Sequence, residues 1–201
     1  MNVAILVGGR GSRMGYVEKA FLKICGVKII DRLLREFSED DVVVVCRDEE
    51  QERLFDVNTT SDSVKNFGAL AGIHAALKYF EDRTLVLACD MPFAKRKVAE
   101  KLFTEAGKFN ASVLMPYWRE GKFEPLFSVY SPDLIPEIEK SFEFGERKIL
   151  KPVFRSERVF LYPVECLKKL DEKLISFFNI NTPQDLRRAE ELCSSTGLGE
   201  R

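Results

Sequence analysis

The chain has 201 residues, 45% hydrophobic and 31% charged, which is the balance of a soluble globular protein long enough to bury a core. Its 31 Lys and Arg stand against 32 Asp and Glu, so the basic excess of a general nucleic-acid binder is excluded, although a local basic pocket for one anionic ligand is not. No stretch approaches the run of about twenty apolar residues that spans a bilayer, so neither nucleic acid nor a membrane is expected as a partner.

Asn2 to Val7 is an apolar run that stops at Gly8-Gly9 and reads as a buried strand. Gly8-Gly9-Arg10-Gly11-Ser12-Arg13-Met14-Gly15 follows, then Tyr16-Val17-Glu18-Lys19. Glycines let the backbone turn tightly and bring bare N–H groups to a ligand. Arg10, Arg13 and Lys19 add positive charge, and Arg can grip phosphate oxygens in a bidentate way. The segment reads as a polyphosphate cradle, against the alternative of a structural turn with solvated basic residues. It is not a P-loop, because no Gly-Lys-Ser/Thr occurs. It is not the dinucleotide fingerprint either, because after Gly9-x-Gly11 the third position is Met14.

Ile29, Ile30, Leu33, Leu34 and Phe37 recur at helical spacing and predict an amphipathic helix over 28–37. Val42 to Cys46 predicts a second buried strand, and Arg53 to Val57 a third, weaker one. Leu70, Ile73, Leu77 and Phe80 mark a helix after Gly68. It carries His74, the chain's one histidine, expected on the surface or at the core edge; a lone histidine makes neither a zinc site nor a triad. Thr84 to Ala88 is a further buried strand, ending at Cys89-Asp90. Val98, Leu102 and Phe103 mark the next helix. Ala111 to Tyr117 and Leu126 to Tyr130 read as strands, with short helices after Pro132 and Gly145 and a late strand over Val159 to Tyr162. Thr182 caps the last helix and Pro183 opens it. Residues 1–193 are expected as one domain, with 194–201 a flexible tail. The five cysteines, Cys25, Cys46, Cys89, Cys166 and Cys193, show no CxxC spacing and are expected reduced, in a cytoplasmic protein.

Alternating strands and helices imply an α/β fold with a mostly parallel sheet covered on both faces. Ligands of such sheets bind beyond the carboxyl ends of the strands, which brings the loops after Val7 and Ala88 to one end. Asp90 then stands at that end. A carboxylate there suits Mg²⁺, which takes one or two protein ligands beside phosphates and water. The alternative is that Asp90 caps the next segment. Alternation also places Asn179 and Asn181 on one side of an extended segment.

Leu6 to Lys19 resembles the LxGGxxxRMGxxK signature of the nucleotidyltransferases that load nucleoside triphosphates onto sugars, polyols and cofactors. Cys89-Asp90-Met91-Pro92-Phe93 resembles their CDxPF motif, Phe67 to Gly72 their GPLAG segment, and Asn179 to Leu186 their NxNTPxDL ending. Within that group the doubled Gly8-Gly9 is similar to the molybdenum cofactor guanylyltransferases of the MobA type; cytidylyl relatives tend to carry LAAG. The departures are Val7 for alanine, Tyr16 for a small residue, Glu18 for aspartate and Ala69 for proline.

The resemblance implies a Rossmann-like three-layer α/β/α nucleotidyltransferase fold with a mostly parallel mixed sheet. It implies transfer of GMP from GTP to a molybdopterin-type cofactor with release of pyrophosphate, using Mg²⁺, or Mn²⁺ in its place. Nucleotide binding then falls to Leu6, Val7, Gly8, Gly9, Gly11, Ser12, Arg13, Lys19, Asp62, Gly68 and Asp90. Among these Arg13, Lys19 and Asp90 would be catalytic, with Asp90 holding the metal. Asn179, Asn181 and Arg147 would meet the acceptor, with Glu124-Pro125-Leu126 nearby. The implied partners are GTP, the molybdopterin-type cofactor, and enzymes that hand it over or receive it. Three alternatives stay open: a cytidylyltransferase for the same cofactor, a transferase acting on a phosphosugar or phospholactate, and a non-catalytic nucleotide-binding module.

Overall fold

Val3 and Ile5 face one core, and Ala4 and Leu6 face another, so the first strand divides two helical layers by its alternation alone. The computed structural model describes residues 1–8, 18–61 and 64–196. In chain order its elements are β1 (Asn2–Leu6), β2 (Lys23–Ile24), β3 (Val27–Lys28), α1 (Ile29–Glu36), β4 (Asp41–Cys46), α2 (Glu49–Glu52), β5 (Thr59–Ser61), α3 (Ala69–Phe80), β6 (Thr84–Ala88), α4 (Arg96–Lys108), β7 (Val113–Tyr117), β8 (Phe127–Tyr130), α5 (Ile135–Glu143), α6 (Leu150–Arg155), β9 (Val159–Pro163) and α7 (Pro183–Thr196).

The main sheet runs β5-β4-β1-β6-β8-β7-β9. β8 is antiparallel to both neighbours, and every other pairing is parallel. Helices α1, α4 and α7 cover one face through Leu33, Leu102 and Ala189, while α3, α5 and α6 cover the other through Ile73, Ile138 and Val153. The result is the three-layer α/β/α arrangement. Leu6 pairs with Val45 on one side and Ala88 on the other, so three parallel strands end level. The chain winds outward from β1 to β4 and β5, then returns to β6 on the opposite side. That reversal makes the carboxyl end of β1 a topological switch point, where such sheets open a crevice.

The third strand is not where Arg53 to Val57 predicted it. Asp48 caps the short helix before that segment, accepting the Gln51 backbone N–H at 2.8 Å, and residues 53–57 turn away after it, Leu54 N–H donating to the Gln51 carbonyl. Leu54 and Val57 are left exposed and only Phe55 turns to the core, stacked on Phe21, so the segment lacks the alternation of a strand, and the strand forms at Thr59–Ser61 instead. The β2–β3 hairpin was not expected. Its two central residues, Cys25 and Gly26, both take positive φ (48° and 78°), the conformation that two-residue hairpin turns need.

The expectation of five reduced cysteines is corrected: Cys25 and Cys193 form a disulfide across 168 residues. Strand and helix periodicity carries no signal for two sulfurs so far apart, whereas the packing of α7 against the hairpin brings them together. Cys46 and Cys89 are free and buried, and Cys166 is free and exposed. α7 continues through Ser194 and Ser195 to Thr196. No helix among the described residues is long and apolar enough to cross a membrane.

Candidate nucleotide site

The three level strands stay in register for one residue past their ends. Val7 N–H donates to the Val45 carbonyl and Cys89 N–H to the Leu6 carbonyl, each at 3.0 Å. Gly8 and Asp90 therefore emerge side by side at the rim of the crevice. The cavity there is lined by Leu6 and Gly8, by Val45 and Cys46, by Gly68, Ala69 and Gly72, by Ala88, Cys89 and Asp90, and by Lys19 and Leu126. Its floor is apolar and its rim charged. Burial pushes the Cys46 and Cys89 thiols up to about 12, so both stand as neutral walls.

Two glycines make room. A Cβ on Gly8 would lie 3.3 Å from the Arg47 backbone nitrogen, closer than side chains ordinarily pack. Gly68 sits at φ +56°, a conformation that side-chain-bearing residues rarely adopt, and opens α3 against the cavity. The first turn of α3 thus borders the cavity.

Lys19 opens a short 3₁₀ turn, Lys19–Phe21. Its ammonium donates to Asp90 Oδ2 at 3.0 Å, to the Ile180 carbonyl at 2.8 Å and to Asn181 Oδ1 at 3.0 Å. All three ammonium donors are thus used, with the Lys19 and Asp90 side chains still 15% and 21% exposed. Ile180 N–H in turn donates to the Asp90 carbonyl at 2.9 Å, which stitches the segment before α7 onto the rim. That segment is held from both sides. Asp185 Oδ2 accepts the Asn181 and Thr182 N–H groups at 2.9 and 2.8 Å, while its own N–H donates to Thr182 Oγ1 at 3.2 Å. The Asn181 N–H and the Thr182 contacts hold the Asp185 carboxyl below its usual range. Upstream, buried Asp171 accepts Ser176 N–H and Lys95 Nζ, both at 2.7 Å.

Of the residues expected at the site, Leu6, Gly8, Lys19, Gly68 and Asp90 line one cavity, and Asn181 joins them through Lys19. Val7 turns its side chain into the core behind. Asn179 donates to the Phe177 carbonyl at 3.0 Å and is not among the hydrogen-bond partners of Lys19. Arg147 is exposed at the turn between α5 and α6, outside the cavity lining. Gly9, Gly11, Ser12, Arg13 and Asp62 lie outside the described residues. Buried Glu124 accepts Trp118 Nε1 and Lys122 Nζ, both at 2.7 Å, and carries the chain to Leu126 at the cavity wall. His74 is buried at the core edge, 3.1 Å from Glu139, and has no part in the cavity.

Sequence reasoning missed the supports. Arg47 Nη1 donates to Glu18 Oε1 at 2.5 Å, and Gln51 Nε2 to Glu18 Oε2 at 2.7 Å. Both donors lie in a highly charged run that reads as a solvated surface. For Asp185, the Thr182-x-x-Asp185 spacing of a capping box was the available signal.

The MobA-like NTP transferase domain model matches residues 3–160. A probable molybdenum cofactor guanylyltransferase of Methanosarcina mazei is 39% identical over 198 residues, covering 92% of this chain and 88% of that protein. The crystal structure of molybdopterin-guanine dinucleotide biosynthesis protein A from Archaeoglobus fulgidus superposes with a TM-score of 0.91 at 46% identity, over 98% of this chain and 100% of that one. A 2-C-methyl-D-erythritol 4-phosphate cytidylyltransferase from Thermus thermophilus shares the fold at a TM-score of 0.68 and 18% identity, over 96% and 98% of the two chains.

Proposed function

The chain belongs to the MobA-like NTP transferase family, and from that premise we propose that it transfers GMP from GTP to a molybdopterin-type cofactor and releases pyrophosphate. The observation that carries the reading is the meeting of Lys19 with Asp90 on the rim of a cavity at the switch point of the sheet. One fixed cation and one carboxylate beside a glycine-lined space are what phosphoryl chemistry asks of a protein.

In this reading the apolar floor takes the base and the rim takes the triphosphate. An oxygen of the acceptor's phosphate attacks the α-phosphorus in line; that P–O bond forms as the bond to the β-phosphate oxygen breaks, and pyrophosphate leaves with the electron pair. The protein positions two anions and offsets their repulsion. Lys19 is held at three points, so its charge is fixed at the rim, and it meets the α-phosphate by exchanging one of those acceptors for a phosphate oxygen. Asn181 and the Ile180 carbonyl fix that charge from the acceptor side. Asp90 presents a single carboxylate, and the described residues contain no cluster of three or more metal-ligating side chains. A one-carboxylate site fits Mg²⁺ that draws its remaining ligands from phosphate and water. Bound there, Mg²⁺ would neutralise phosphate charge and favour departure of pyrophosphate.

The test is pyrophosphate release by the purified chain with Mg²⁺ and purified molybdenum cofactor, run against GTP, CTP, UTP and ATP. Release with GTP alone is the expected outcome. Release with CTP instead would move the reading to cytidylyl transfer. Release only with a phosphosugar or phospholactate would change the acceptor. Thermal stabilisation by nucleotide without any release would leave a binding module.

A further inference from the structure

Gln51 is fully buried in the run Arg47-Asp48-Glu49-Glu50-Gln51-Glu52-Arg53, where it is the one uncharged residue. It contributes nothing apolar to either core. Its side-chain amide is spent on three contacts: Nε2 donates to the Val7 carbonyl at 3.2 Å and to Glu18 Oε2 at 2.7 Å, and Oε1 accepts the Arg47 N–H at 2.9 Å. Val7 is the residue before Gly8, and Glu18 is the residue before Lys19. One side chain from α2 therefore grips both described stems of the glycine segment. Arg47, whose backbone Gln51 holds, closes the same ring by its own bond to the other Glu18 oxygen and packs against Gly8.

We infer that Gln51 is a positioning residue: it joins the two stems of the nucleotide segment and so sets where Lys19 stands relative to Gly8 and Asp90. This rests on the role given to Lys19 above. The ring of contacts dictates the residue type. It asks for two donors and one acceptor on one planar head, which an amide supplies. A carboxylate at that place would face Glu18 and the neighbouring Asp48, two like charges against the single Arg47, and would have no hydrogen to give the Val7 carbonyl. An apolar side chain would take this donor from that carbonyl and from one oxygen of the half-buried Glu18.

The test uses the full chain with Gln51→Met, which keeps the length and removes every polar contact, and Gln51→Glu. In Gln51→Met, turnover of GTP should fall roughly ten- to a hundredfold, the scale set by misplacing a reacting group by about an ångström. The decisive readout is pH. The carboxyl introduced by Gln51→Glu sits against Glu18, and such a pair shares a proton well above the usual carboxylate range. Protonated, it regains one donor. Its turnover relative to wild type should therefore climb from about pH 8 down to about pH 5.5, while that of Gln51→Met stays flat. Independently of activity, the amides of Phe21 and Leu22, which donate to the Glu18 and Lys19 carbonyls, should exchange hydrogen faster in Gln51→Met by about tenfold, with the β6 amides unchanged. Unchanged exchange at Phe21 and Leu22, or a flat pH ratio for Gln51→Glu, overturns the inference. A wild-type chain that turns over no nucleotide sinks the proposed function instead, and the exchange measurement still decides the role of Gln51. Should Gln51→Met fail to fold, exchange at the same two amides in Gln51→Glu, faster at about pH 8 than at about pH 5.5 relative to wild type, decides it.

Discussion

Lys19 Nζ lies 3.0 Å from Asp90 Oδ2, although 71 residues separate the two in the chain. The pair joins the two loops that leave neighbouring strands at the switch point, so each charge holds the other at the cavity rim. In the proposed function the cation is aimed at phosphate and the carboxylate at metal. Lys19→Ala and Asp90→Ala should each cost two to three powers of ten in turnover, on the order of 3–4 kcal/mol of transition-state stabilisation. The pair is partly exposed, so its loss should leave the circular dichroism spectrum unchanged. Pyrophosphate release measures the first effect, and turnover near that of wild type in either variant would remove the mechanism.

Asn181 carries a smaller share. It supplies one of the three acceptors around Lys19, and it is exposed, so little core packing depends on it. Asn181→Leu should lower turnover about tenfold, near the 1.5 kcal/mol of one hydrogen bond to a charged group. The thermal midpoint should hardly move. A large drop in stability with unchanged turnover would show that Asn181 serves the fold alone.

Much of this was legible in the chain because two periodicities were strong. The buried strands β1, β4 and β6 are unbroken apolar runs, and α1, α3 and α4 repeat at helical spacing; together they place Gly8 and Asp90 at one end of one sheet. What escaped was held by side-chain chemistry over long separations. The short α2 depends on the cap at Asp48, and the residues after it, 53–57, turn only Phe55 to the core while Leu54 and Val57 stay exposed. The seating of Asn181 depends on the contact of Lys19 across 162 residues, and Asn179, two positions earlier, turns back to its own chain. Spacing alone treats those two amides as equals.

Gly68 offers a backbone test. At φ +56° and ψ −136° an alanine is strained whatever the space around it, and nothing lies within 4 Å of where its Cβ would stand. Gly68→Ala should therefore destabilise by about 1–3 kcal/mol through the backbone rather than through a clash. Because Gly68 lines the cavity and opens α3, the stabilisation of the protein by GTP should shrink as well. Chemical denaturation with and without GTP separates the two effects; a full-sized GTP shift in the variant would take Gly68 out of the site.

Asp171 predicts an acid limit. Burial alone would raise its carboxyl, but the hydrogen bonds from Lys95 and Ser176 outweigh burial and hold it below the ordinary 3.8. The folded value is thus lower than the unfolded one. The stabilisation is complete above the ordinary value and is lost as the pH falls from about 3.8 through the depressed folded value. The thermal midpoint should therefore drop steeply below about pH 4. Asp171→Asn should lose about 1–3 kcal/mol at neutral pH, since Lys95 and Ser176 would keep only a neutral partner, and its acid decline should be shallower. An equally steep decline in that variant would assign the acid limit elsewhere, with Asp40, also depressed and held by Arg96 and the chain terminus, as the next carboxyl to replace.

The cysteines separate into three kinds, and alkylation should tell them apart. Cys166 is exposed and should react in the native chain. Cys46 and Cys89 are buried with thiols pushed up to about 12, so they carry almost no thiolate at neutral pH and should react only on unfolding. Cys25 and Cys193 are paired and should stay unlabelled until a reductant is added. Mass spectrometry of iodoacetamide adducts should then show native, denatured and reduced-denatured chains gaining adducts in that order of residues. The pairing also matters to the site. It ties the hairpin that follows Lys19 to the helix that follows Asn181, closing a loop of 168 residues. Restricting so long a loop in the unfolded chain can add as much as about 5 kcal/mol, so reductant should lower the thermal midpoint by a clear margin. Labelling of Cys25 or Cys193 in denatured chain without reductant, or a midpoint indifferent to reductant, would remove the crosslink and leave α7 held against the hairpin by packing and by the bond from the Cys25 N–H to Glu190.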